Sequence, residues 1–217
     1  MTAQAGSASS PSRLGAAAER SAARECLRRH MRILRAGLTP RDRQHAAQAF
    51  ARQAQRARLL RPGLKVAAYV AVRNEADLAP LIARALKLRC QVYLPRVVNL
   101  KQGRMEFLRF TGLRHLKRNA LGLLEPGPSA PRIAARTLDR VFVPLAAFDS
   151  LGNRLGTGGG FYDRRFAFLG SRRHWRKPRL IGVGYDIQRV PSVPTEPWDI
   201  ALDAVMTERR VYRQPHR

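Results

Sequence analysis

The chain has 217 residues, 45% of them hydrophobic, and a formal net charge of +26, which suits one domain with a sizeable core. No apolar run approaches the roughly 18 residues of a membrane span, and the two cysteines, Cys26 and Cys90, lack the CxxC spacing of a zinc site or a disulfide framework. The charge would suit a nucleic-acid binder, but only five of the 41 basic residues are lysines, and the arginines are scattered over nearly every segment rather than gathered in a stripe.

Residues 1–19 are small, polar and aperiodic, without the apolar core of a secretory signal, and read as a flexible N-terminus. From about Arg20 the pattern turns helical, with Leu27, Met31 and Leu34 on one face. Thr39, Pro40 and Asp42 have the form of a capping box that opens a second helix, with Ala46, Ala47, Phe50, Ala54 and Ala57 on its buried side. Strand and helix then alternate. Residues 64–72 read as a strand buried on both faces, 75–88 as a helix, 90–97 as a second strand and 104–110 as an antiparallel excursion. The Pro-, Gly- and Ala-rich stretch 119–136 reads as a long loop, and 138–148 as a strand running straight into a glycine-rich segment. A helix over 162–169, a strand over 179–186 and a short strand over 203–209 complete the pattern. It predicts a three-layer α/β/α sheet, mostly parallel, preceded by N-terminal helices.

The segment 149–165, DSLGNRLGTGGGFYDRR, lies between a strand and a helix, where open α/β sheets bind ligands. Gly156, Gly158, Gly159 and Gly160 can adopt positive φ and turn successive amides inward as an anion-binding nest. Arg154 and Arg164 flank them as candidates for charge-assisted contacts to phosphate. The pattern is neither a Walker motif nor GxGxxG. The five histidines (30, 45, 115, 174, 216) show no ligand spacing, and Trp198 reads as a packing residue.

The motif GNRLGTGGGFYDR resembles the signature of the 5-formyltetrahydrofolate cyclo-ligase family. RECLR (24–28), NEADL (74–78), VYLPRV (92–97), IGVGYDIQRV (181–190) and EPWDIALDAVMTE (196–208) are similar to its other segments, in the right order, from about residue 20 to 209. The resemblance implies a single Rossmann-like domain over 20–209 followed by a tail over 210–217. It also implies a cytoplasmic, monomeric enzyme that uses ATP and Mg²⁺ to cyclise 5-formyltetrahydrofolate and its polyglutamates to 5,10-methenyltetrahydrofolate, releasing ADP and phosphate. In that reaction the formyl oxygen attacks the γ-phosphoryl group, and a neighbouring folate nitrogen then displaces phosphate. Such chemistry needs positioning and charge neutralisation more than a protein base. The alternative is a catalytically inactive, basic nucleic-acid-binding protein on the same fold.

Carried over position by position, the resemblance gives Arg24 and Arg28, together with Arg154, Leu155, Gly156, Thr157, Gly158, Gly159, Gly160, Phe161 and Tyr162, to ATP. Residues Thr157 to Phe161 also contact the folate, as do Val70 and Glu75, whose carboxylate suits the donor array of the pterin. Asp163 and Asp199 become magnesium ligands. Thr157 and Phe161 stand where the family commonly has tyrosine, and Leu78 where it has threonine. Without the resemblance Arg24 and Arg28 would read as solvated charges, Val70 as core, and the two aspartates as caps.

Overall fold

The computed structural model describes residues 13–119, 122–170 and 177–214; the readings of residues 1–12, His174 and His216 lie outside them. Helix α1 (Arg13–Ala36) starts earlier than the expected Arg20, because its alanines favour helix without any apolar periodicity. Leu27 and Met31 pack against the body of the protein while Leu34 is exposed, which narrows the expected apolar face. Helix α2 (Pro40–Arg56) opens on the expected capping box: Thr39 Oγ1 accepts from the Asp42 amide at 3.1 Å, and Asp42 accepts from the Thr39 amide at 3.1 Å.

Strand β1 (Lys65–Ala67) is followed by α3 (Ala79–Lys87), β2 (Gln91–Asn99) and β3 (Arg104–Arg109). The strand expected over 64–72 is thus cut short. After Ala68, whose amide still bonds Tyr93 O, the chain leaves the sheet and turns on itself: Val72 N donates to Glu75 Oε2 and Tyr69 Oη to Ala76 O. Helix α3 accordingly begins at Ala79 rather than residue 75. Strand β4 (Leu116–Arg118) follows, and the stretch expected as one long loop carries its antiparallel partner β5 (Leu124–Pro126) and then β6 (Arg132–Ile133). The strand expected over 138–148 divides into β7 (Arg140–Pro144) and β8 (Ala147–Phe148), and β8 pairs with β9 (Arg154–Leu155) as a hairpin. Helix α4 (Phe161–Phe166), β10 (Arg179–Val183), β11 (Ala204–Met206) and β12 (Val211–Arg213) follow. Residues 211–213, expected in a tail, therefore extend the sheet.

The main sheet has eight strands in the order β12-β11-β10-β7-β1-β2-β3-β6. The run from β11 to β2 is parallel throughout, and β12, β3 and β6 join antiparallel. Side chains alternate across it with period two. Val66, Phe142 and Ile181 face α2 and α3, packing with Phe50, Leu81 and Tyr185. Ala67, Val141, Val143 and Leu180 face the other side, against Phe166 and Leu169. The three-layer, mostly parallel sheet is the architecture the alternation predicts. A smaller cluster of Met31, Ala146, Ala147, Leu155 and Val193 seats α1 on the β8–β9 hairpin. That contact brings the arginines of α1 to the glycine segment.

Candidate functional site

The glycine segment does not emerge directly from β7. It emerges from the β8–β9 hairpin, whose turn is organised by one buried carboxylate that sequence reasoning missed. Asp149 Oδ1 accepts from the amides of Leu151 and Asn153, and Oδ2 from Asn153 Nδ2 and the Val193 amide. Four bonds to charged oxygens offset the cost of burying the group, and the Val193 bond ties the 190–203 segment to the same turn. The signal was present in DSLGN, an Asx turn closed by glycine.

Beyond Leu155 the loop runs through Gly156 to Gly160. Gly158 (φ 120°) and Gly160 (φ 61°) occupy the positive-φ region, where a side chain is strained. Gly156 and Gly159 do not. At Gly159 the constraint is contact, since an added Cβ would stand 2.6 Å from the Phe161 ring. The helix that follows has only six residues, so its dipole adds little and the loop amides and arginines dominate the local field.

A cleft of about 650 Å³ opens on this loop, within the usual range for a small-molecule site. Arg24, Arg28, Gly156, Gly158, Gly160, Asp163 and Asp199, far apart in sequence, all line it. Arg28 Nε donates to Gly156 O at 3.1 Å. Arg24 reaches across to the 190–203 segment, donating to Pro194 O at 2.7 Å and to both oxygens of Asp199, at 2.5 and 3.1 Å. Arg164 donates to Gly159 O and stands over the Phe161 ring.

Two expected site residues lie beneath the cleft rather than in its wall. Leu155 is buried in the small cluster under α1. Arg154, with 3% of its surface exposed, holds Asp163 Oδ1 through Nη1 and Nη2 at 2.9 and 2.8 Å. The same oxygen accepts the Ile200 amide at 3.1 Å. Asp163 thus links the loop to the 190–203 segment, and its Oδ2 has no hydrogen-bond partner among the described residues. Thr157 and Gly159 are exposed on the loop, while Phe161 and Tyr162 are half-buried and pack toward Phe166.

Val70 and Glu75 sit on the separate loop after β1, outside the lining of the cleft. Burial raises the Glu75 carboxyl above the ordinary glutamate range, opposed by the Val72 amide and by the charge of Arg35. Burial also pushes the phenols of Tyr69 and Tyr162 upward, and the Glu75 charge adds to both shifts. Val70 is half-buried against the α2–α3 core, so packing accounts for part of its apolar character. Trp198 departs from its expected packing role: it lines the cleft with 66% of its surface exposed.

A mostly parallel α/β sheet with a glycine-walled, arginine-lined cleft is an arrangement in which open α/β enzymes bind ligands. Comparison with known proteins makes this specific. A family model described as the 5-formyltetrahydrofolate cyclo-ligase family matches residues 20–208. The 5-formyltetrahydrofolate cyclo-ligase of Haemophilus influenzae is 34% identical over 182 residues, 82% of this chain and 94% of the relative. That of Escherichia coli K12 is 34% identical over 183 residues, 84% and 98% of the two chains. The solution structure of Aquifex aeolicus 5,10-methenyltetrahydrofolate synthetase superposes with a TM-score of 0.75 at 28% identity, covering 89% of this chain and 94% of that one. The chain belongs to the 5-formyltetrahydrofolate cyclo-ligase family, a family of ligase enzymes.

Proposed function

We propose that the protein cyclises 5-formyltetrahydrofolate, and its polyglutamates, to 5,10-methenyltetrahydrofolate with conversion of ATP to ADP and phosphate, acting in the cytoplasm as a monomer. The observation that carries the proposal is the convergence of Arg24, Arg28, the glycine loop, Asp163 and Asp199 on one cleft in a chain of this family. The loop amides and the two α1 arginines take the triphosphate, the arginines supplying fixed positive charge where charge shifts during phosphoryl transfer. Arg154 acts through Asp163, whose orientation it fixes. Glu75 takes the pterin, and Thr157 to Phe161 form the surface between the two ligands, with Val70 as an apolar wall.

The carboxylates suit Mg²⁺, which takes oxygen ligands, usually one or two carboxylates completed by phosphate oxygens and water. Among the described residues Asp163 Oδ2 has no hydrogen-bond partner. Asp199 is held at both oxygens by Arg24 and by the Glu196 amide at 2.9 Å; to serve as a ligand it must share or exchange the arginine. Carboxylates holding an ion there would bring positive charge to the phosphate oxygens. With both ligands placed, the formyl oxygen attacks the γ-phosphorus, ADP leaves, and the neighbouring folate nitrogen closes the ring as phosphate departs.

The test is spectroscopic. Purified protein given 5-formyltetrahydrofolate, ATP and Mg²⁺ is expected to generate the ultraviolet band of the methenyl product, and omission of ATP to abolish it. A well-folded preparation that forms no product overturns the proposal.

A further inference from the structure

Trp198 is the residue of the cleft whose chemistry the phosphate-holding groups leave unexplained. It is a large aromatic side chain with 66% of its surface exposed, and it shares one cleft with Arg24, Arg28 and the glycine loop. Its exposure does not come from a loose segment. The backbone is pinned on both sides: the Val193 amide to Asp149 Oδ2 at 3.0 Å, the Glu196 amide to Asp199 Oδ2 at 2.9 Å, and the Asp199 amide to Glu196 O at 3.0 Å. Beyond it the Ile200 amide bonds Asp163 Oδ1 at 3.1 Å, and the Leu202 amide bonds Gly152 O at 3.0 Å. Pro197, immediately before it, fixes one more backbone angle. A rigid loop that holds an indole in solvent pre-pays the ordering that binding would otherwise cost.

Resting on the ATP reading above, we infer that Trp198 is the platform on which the base of the nucleotide stacks, and hence the residue that selects a nucleoside triphosphate over a bare polyphosphate. The glycine loop and the arginines recognise phosphate alone and would take inorganic tripolyphosphate equally well. The cleft is too large for a triphosphate alone, and Trp198 is its one aromatic lining residue among the described residues. Stacking accepts any base because every base offers a π-face. Trp198 therefore separates nucleotides from inorganic phosphates and discriminates little between adenine and guanine.

The experiment measures dissociation constants of ATP, GTP and tripolyphosphate, each with Mg²⁺, and of 5-formyltetrahydrofolate, for wild type, Trp198→Ala and Trp198→Phe, with melting temperatures as a check on folding. A base–aromatic stack is worth about 1–3 kcal/mol, so Trp198→Ala is expected to weaken ATP and GTP alike by roughly 5- to 150-fold and to leave tripolyphosphate within twofold. Trp198→Phe should recover most of the loss. A Trp175→Phe variant leaves Trp198 as the sole tryptophan; its fluorescence should be quenched by ATP and not by tripolyphosphate. Unchanged ATP affinity in Trp198→Ala, equal losses for ATP and tripolyphosphate, or a loss confined to 5-formyltetrahydrofolate would each overturn the inference. Should wild type bind no nucleotide, the ATP reading itself fails and this one with it; turnover retained with unaltered ATP binding in Trp198→Ala sinks this one alone.

Discussion

Asp163 lines the cleft and also pairs with Arg154 behind it. Arg154, its partner, is almost wholly removed from solvent, and a buried guanidinium stripped of its counter-charge is costly. Breaking such a pair by removing one partner costs about 3–5 kcal/mol. Asparagine keeps an acceptor oxygen, so Asp163→Asn is expected near the lower end of that range, read as a shift in the denaturant midpoint. Turnover measured well below the melting temperature should still fall at least tenfold, about 1.4 kcal/mol of transition-state stabilisation. An unchanged midpoint would show that the ion pair contributes nothing, and unchanged turnover that the cleft-facing oxygen is idle. Glu75 offers a test in pH. Its carboxyl is raised by burial, while its assigned role needs the ionised form to accept the donors of the pterin. Affinity for the folate, read as kcat/KM, should therefore decline as pH falls through a value above the ordinary glutamate range, and Glu75→Gln should remove that limb. The same shift acts on stability in the opposite sense. A raised carboxyl pKa contributes stability while the group is protonated, and the contribution is lost as pH rises through the folded-state value.

At the scale of elements, the site is a product of close packing behind it. Gly182 in β10 admits no side chain: an added Cβ would stand 2.5 Å from Leu202 Cδ1 and 2.7 Å from Leu145 Cδ2. Leu145 leads into the hairpin and Leu202 closes the 190–203 segment. Gly182→Ala should thus destabilise by about 1–3 kcal/mol through overpacking, read by calorimetry, with the loop geometry disturbed as well. A variant as stable as wild type would mean that the two leucines yield freely. The sequence made much of this level legible. Thr39 and Asp42 marked the start of α2 because capping is local chemistry, and alternating apolar strands and amphipathic helices marked the three layers. Residues 64–72 misled because an apolar run says that a segment is buried, not that it stays in the sheet; Tyr69 and Glu75 bend it out by hydrogen bonds made only after the turn has formed. Arg154 was legible as basic but not as buried, since its partner lies across the loop. The Arg24–Asp199 pair joins residues 175 apart and has no local signature. The exposure of Trp198 depends on the same long-range pins.

For the molecule as a whole, the charge of +26 looks different once the arginines are placed. Arg24, Arg28, Arg154 and Arg164 take carbonyls or carboxylates of other segments, and Arg43 takes the Leu38 carbonyl in the turn before its own helix. Arg109, Arg136, Arg189 and Arg210 lie over aromatic rings. These nine arginines thereby have structural partners within the fold, in helices, hairpin and loops. The central claim is that this cleft couples ring closure to phosphoryl transfer. It is tested most directly by the fate of the formyl oxygen. With 5-formyltetrahydrofolate labelled with ¹⁸O in the formyl group, attack on the γ-phosphorus predicts one labelled oxygen in each phosphate released, in step with methenyl product. Unlabelled phosphate, with the label recovered in water, would contradict the account.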